Sequence, residues 1–146
     1  MGETAANTLE VLENDYWGEP EWPSHLVTTL HRLRSKPLDQ FTTEDLRINI
    51  GQESSLDILM PMAIEVLEKD PFADGDNYRG DLLQNVLRNA PWLIENPVLM
   101  ERVATVVQSV VKKGFVDEMS VFEEEETEIR KIVEAFVAGY LDHSKG

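Results

Sequence analysis

Cysteine is absent from the 146 residues, which excludes disulfide bonds, a thiol nucleophile and thiolate metal ligands. Basic side chains are scarce. Thirteen Lys and Arg stand against 28 Asp and Glu, so the formal charge at neutral pH is -15 and the pI is near 4.4. Nucleic-acid binding depends on cations that neutralise phosphates, so direct nucleic-acid contact is not expected, and an anionic membrane surface is disfavoured on the same ground. No apolar run approaches the roughly 18 residues that span a bilayer. The opening residues, MGETAAN, lack a basic segment followed by an apolar one, so the cytoplasm is the expected address. Met1-Gly2 does not complete a myristoylation signal, because Ala6 stands where Ser or Thr is needed.

The groups that carry common chemistries are equally sparse. Of the three histidines, His25 and His31 are six apart and fall on different faces of a helix, whereas helical zinc sites need a spacing of four with a Glu between. A structural role for these histidines is therefore expected. The stretch DPFADGDNYRGD has the carboxylates of a calcium loop but not their order: starting at Asp74 puts Arg79 where Gly is required, and starting at Asp70 puts Phe72 at a ligand position. It reads as a solvated loop that caps the next helix. No Gly-rich phosphate loop and no nucleophile elbow occur. No enzyme activity, no catalytic residue, no metal and no cofactor are expected.

What is present is a helical pattern. Leu, Ile, Val and Phe fill 42 of 146 positions, about 29%, enough for a core despite the charge. Asn7 with Glu10 resembles a capping pair for a short helix through Leu9 and Leu12. Ser24 caps a helix whose Leu26, Val27, Leu30 and Leu33 form one stripe before Pro37. Thr42 and Asp45 open a third helix, which Gly51 closes in the usual C-terminal position. A fourth runs from Ser54 or Ser55 to Lys69 around Pro61, kinked there, and is expected to be the central, most buried helix. Asp81 caps a helix through Leu87, residues 89–95 form a helical turn, and Asn96-Pro97 opens a helix to Lys113. Ile129, Ile132, Val133, Phe136, Val137, Tyr140 and Leu141 make a final stripe. The expectation is an all-α, single-domain compact bundle of about six to seven helices over residues 1–146, with flexible ends at 1–6 and 143–146.

The acids are not evenly spread. Residues 1–31 hold Glu3, Glu10, Glu13, Asp15, Glu19 and Glu21 with no Lys or Arg, and Asp117, Glu118, Glu123 to Glu126 and Glu128 form a second base-free block. Tyr16, Trp17 and Trp22 interrupt the first block. Aromatic anchors ringed by charge suit a protein interface, and an acidic field speeds encounter with a basic partner. Pinning the loop to the core is the competing use of the two tryptophans, and solubility is the competing use of the acids.

The strings LENDYWGEPEWP (Leu12 to Pro23), LVTTLHRLRSKPL (Leu26 to Leu38), FTTEDLRINIGQ (Phe41 to Gln52) and LMPMAIEVLEKDPFADGDNYRGDLL (Leu59 to Leu83) resemble, in order and spacing, bacterial immunity proteins of contact-dependent growth inhibition (CDI), the CdiI type. The resemblance covers residues 8–90; the last 55 residues match in helical character alone. It implies a cytoplasmic protein that binds and blocks the C-terminal toxin domain of a large secreted exoprotein, commonly a basic nuclease. The toxin-contact candidates are Asp15, Tyr16, Trp17, Glu19, Glu21 and Trp22, then Asp74, Asp76 and Tyr78, then Glu123, Glu124, Glu125 and Glu126. The alternative is an acidic nucleic-acid mimic or adaptor that binds several basic host proteins. The shared strings themselves fall on caps, turns and core faces, so the resemblance identifies a scaffold more directly than a contact surface.

Overall fold

Short polar side chains start the helices close to where the sequence places them. Thr42 Oγ1 accepts from the Asp45 N–H at 3.1 Å while Asp45 Oδ2 accepts from the Thr42 N–H at 3.0 Å, a reciprocal cap that satisfies two otherwise orphan donors. Ser24 accepts from the Val27 N–H at 3.1 Å. The computed structural model describes residues 7–21, 24–76, 80–113, 131–136 and 138–139. Within them the elements are α1 (Leu9–Glu13), α2 (His25–Arg34), a 3-10 turn (Leu38–Gln40), α3 (Thr43–Gly51), α4 (Leu56–Lys69), α5 (Asp81–Leu87), α6 (Ala90–Ile94) and α7 (Pro97–Lys113). Residues 131–136 are helical again, and no strand occurs among the described residues. The all-α expectation holds. The expected flexible ends and the segment carrying Glu123 to Glu126 lie outside the described residues.

The core is one cluster, built chiefly where α3 packs on α4 and α5 and where α4 packs on α7. Leu46 and Ile50 of α3 meet Leu59, Met60, Ala63, Ile64 and Leu67 of α4 and the apolar side chains of α5, with Val103, Val106, Val107 and Val110 of α7, Val133 and Phe136 completing it. At about 25 cal/mol per Å2 of apolar surface removed from water, burial of this kind is the main stabilising contribution. Helix α2 contributes nothing to that cluster, although its Leu33 is buried. It forms a peripheral layer with the segment that joins it to α1, whose Leu9 does enter the cluster.

Four expectations need correction. Thr8, not Asn7, caps α1, accepting from the Val11 N–H, while the Asn7 carbonyl is engaged by the Leu38 N–H at 2.8 Å. Gly80, with φ of 91°, occupies the cap position of α5, so Asp81 is the first helical residue and is wholly buried. The loop before it is only partly solvated, because Phe72 and Ala73 turn into the core. Finally, α4 buries six of its 14 residues while α5 buries all seven, so α5 is the most enclosed helix. The outer face of α4 carries Asp57, Glu65 and Glu68, and the helix continues through Pro61 to Lys69.

Gly51 ends α3 for a different reason from the expected one. Its φ is ordinary, and Glu53, at φ of 55°, takes the left-handed position instead. A Cβ on Gly51 would lie 2.8 Å from Asn85 Oδ1, so the missing side chain is what lets α5 approach. Asn89, just beyond α5, donates to the Ile50 carbonyl at 3.2 Å and to the Asn85 carbonyl at 2.9 Å. The Ile50 carbonyl also accepts from the Glu53 N–H at 3.0 Å, so a carbonyl in the last turn of α3 is bonded both locally and from a neighbouring element.

Candidate functional site

The first acidic block forms an arm fixed against α2. Helix α1 ends at Asn14, whose left-handed conformation (φ 51°) turns the chain, and Gly18 (φ 72°) turns it again. Arg34, on the last turn of α2 and only 3% exposed, holds the arm. Its Nη1 donates to Glu13 Oε1 at 2.7 Å, its Nη2 donates to the Asp15 carbonyl at 2.7 Å, and its Cζ lies 4.4 Å from the Trp17 ring centroid. A charge-assisted bond, a main-chain bond and a cation–π contact thus converge on one guanidinium. Ser55, at the start of α4, donates to the same Glu13 oxygen at 3.1 Å, which links the arm to the core helices.

Trp17 is held on two further sides. Its indole N–H donates to Asp15 Oδ2 at 3.2 Å, and its ring meets the His31 imidazole edge-on at 5.0 Å. His31 Nδ1 is 2.9 Å from the Gly18 carbonyl; because a carbonyl only accepts, Nδ1 carries the proton in this contact. His31 therefore has the structural role expected of it. Trp17 nonetheless keeps 40% of its surface exposed, and Tyr16 keeps 62%. Val11 and Leu12 are also exposed. Pinning and exposure coexist: the contacts fix the ring's position without burying it.

The structure thus gathers Asp15, Tyr16, Trp17, Glu19 and Glu21 on one exposed arm. Trp22, Tyr78 and Glu123, Glu124, Glu125 and Glu126 lie outside the described residues. Asp74 and Asp76 are exposed on a second loop, fixed to α3. Sequence reasoning missed Arg34 and Glu13, which hold the arm, and the exposed Val11 and Leu12. One signal existed for Arg34: it falls eight residues after Leu26, on the apolar stripe of α2. The stripe itself shifts in the structure. Leu26 is exposed, while Thr29, Leu33 and Arg34 are buried, because the arm covers the side of α2 that Arg34 faces.

The second loop is held by a polar latch. Arg47 donates to both Glu44 oxygens at 2.6 Å, and its Nε is 3.7 Å from Asp81 Oδ2. The Gly75 N–H donates to Asp81 Oδ1 at 2.7 Å, and the Asp76 N–H donates to Glu44 Oε1 at 2.8 Å. The Arg47 guanidinium holds the Glu44 carboxyl below its usual range despite partial burial, and Glu44 in turn raises Arg47. A side chain at Gly75 would collide with Glu44 and crowd Arg47. Glu44 and Arg47 of α3 therefore interlock with Gly75, Asp76 and Asp81 as scaffold.

No helix of the described residues is long and apolar enough to cross a membrane. No curated protein and no solved structure matches the chain. A family model described as CDI immunity proteins matches residues 11–104, from α1 through the arm, α2 and the latch into the first half of α7. That span extends the resemblance beyond residue 90 and covers well over half of the chain. The chain belongs to the family of CDI immunity proteins.

Proposed function

We propose that the protein neutralises a basic toxin domain, a nuclease, by stoichiometric binding, and that the arm between α1 and α2 is the principal contact surface. Membership of the family implies a cognate toxin domain as partner. The observation that carries the finer reading is the arm itself: Tyr16 and Trp17 exposed among Glu13, Asp15, Glu19 and Glu21, with Trp17 fixed by Arg34 and His31. A fixed aromatic side chain loses little conformational freedom on binding, and such residues dominate interface energetics. The surrounding carboxylates attract a basic surface and occupy places that substrate phosphates would take. Asp74 and Asp76 provide a second acidic contact, and Trp22, Tyr78 and Glu123 to Glu126 extend the candidate set.

Exposed Val11 and Leu12, a few residues before the aromatics in the chain, support one cognate partner over a general acidic mimic, since apolar shape discriminates where charge alone does not. Inhibition by binding requires no chemistry from this chain, in keeping with a family that is generally non-enzymatic. Co-expression with the toxin domain encoded immediately upstream is the test. Restored growth and a one-to-one complex are the expected result; persistent toxicity with both proteins soluble overturns the reading.

A further inference from the structure

A cleft of about 480 Å3 opens between the arm and α2, with Glu10, Trp17 and Glu19 on one side and Thr28, Arg32 and Arg34 on the other. Its size lies in the range of roughly 300–1,000 Å3 common for ligand sites. Two features of its walls define what fits. The first is Arg34, 3% exposed, whose Nη atoms are matched to Glu13 and Asp15 while its Nε has no hydrogen-bond partner among the described residues. That donor is closed to solvent and so to a ligand oxygen, and Arg34 serves the cleft as a fixed wall that holds the Trp17 ring. The second is charge. With Arg34 answered by Glu13, the carboxylates of Glu10 and Glu19 face Arg32 as the other full cation of the lining. A free carboxylate or phosphate would be repelled by both glutamates.

We propose that this cleft takes a basic peptide segment of the toxin. A Lys or Arg side chain of that segment runs along Trp17 to Glu10 and Glu19. The Trp17 ring already stacks on one guanidinium, that of Arg34, so the chemistry asked of it is one it performs within the chain. This inference rests on the toxin-binding reading and names the mode of contact.

The test has an arm that needs no toxin. The labelled full chain is titrated with N-acetyl-arginine methylamide, with N-acetyl-glutamate methylamide and acetate as comparisons, while the Trp17 indole N–H and the Arg34 Nε–H are followed by NMR. Saturable millimolar shifts with the arginine probe are expected, weakened about fivefold in the E10Q/E19Q double variant. Silence with the arginine probe, or equal shifts with glutamate or acetate, overturns the proposal. Thr28→Arg, at an exposed position on α2, places a cation in the cleft without touching the core. It should keep the melting temperature and lose roughly tenfold or more in toxin affinity. A T28R protein that binds toxin as the wild type does sinks the cleft and leaves the toxin-binding reading intact; a wild type that binds no toxin sinks that reading while the probe titration still reports on the cleft.

Discussion

The Arg34 guanidinium stacks 4.4 Å from the Trp17 centroid while bonding to Glu13 at 2.7 Å, so one side chain from the end of α2 positions both the acid and the aromatic of the arm. Arg34→Met should preserve the apolar stem and remove all three contacts. Because Glu13 remains partly open to water, the expected cost is about 1–3 kcal/mol, below that of breaking a fully buried pair. Urea unfolding measures it. Loss of protection with retained global stability would separate positioning of the arm from folding, since α2 stands outside the main core cluster.

The Glu44–Arg47 pair sets an acid limb of stability. The folded carboxyl of Glu44 titrates below its ordinary 4.5, so the unfolded chain takes up the proton first. Its contribution is fully present above that value and is lost as pH falls through the lower folded value. The gap in melting temperature between wild type and Glu44→Gln should therefore be widest at neutral pH and close on acidification. Glu68, lowered by Arg102, has the same sign, but both side chains are more than a third exposed, so E68Q should move the curve much less.

Gly51 and Asn85 should behave as a coupled pair. Gly51→Ala forces a contact at 2.8 Å with Asn85 Oδ1 and should cost about 1–3 kcal/mol even though alanine favours helices. Asn85→Ala removes the obstruction together with its bond to the Asp81 carbonyl. The double variant is expected to lose less than the sum of the singles, and a strictly additive result in denaturant titrations would refute the close approach.

Charge reversal of the arm tests steering. Glu19 and Glu21 are exposed, so Glu19→Lys with Glu21→Lys should leave unfolding unchanged. Association with a basic toxin should slow by about tenfold at low ionic strength, and the salt dependence of the wild-type on-rate should flatten. An on-rate indifferent to salt in the wild type would point to an apolar contact through Val11, Leu12 and Tyr16 instead.

Much of the secondary structure could be read locally. Ser24 and Thr42 with Asp45 cap their helices as read, and the helices from Leu56 to Lys69 and from Pro97 follow from apolar periodicity and a proline start, signals set by nearest neighbours. The site was legible in part: the acidic, aromatic composition of residues 10–21 marks a surface, and the structure places Asp15, Tyr16, Trp17, Glu19 and Glu21 on it. Its anchor was not, because Arg34 is 21 residues from Glu13 and no local pattern records that pairing.

The sequence by itself determined the helical class, most helix starts, the acidity and the family, all properties of residue order and composition. Tertiary structure decided what several of those residues are for. Gly51 admits Asn85 instead of serving as a left-handed cap, Asp81 meets Arg47 of α3 from inside the fold, and Trp17 is both pinned and exposed. The physical reason is common to all three: the partner that defines each role is brought within contact distance only when helices distant in sequence pack together.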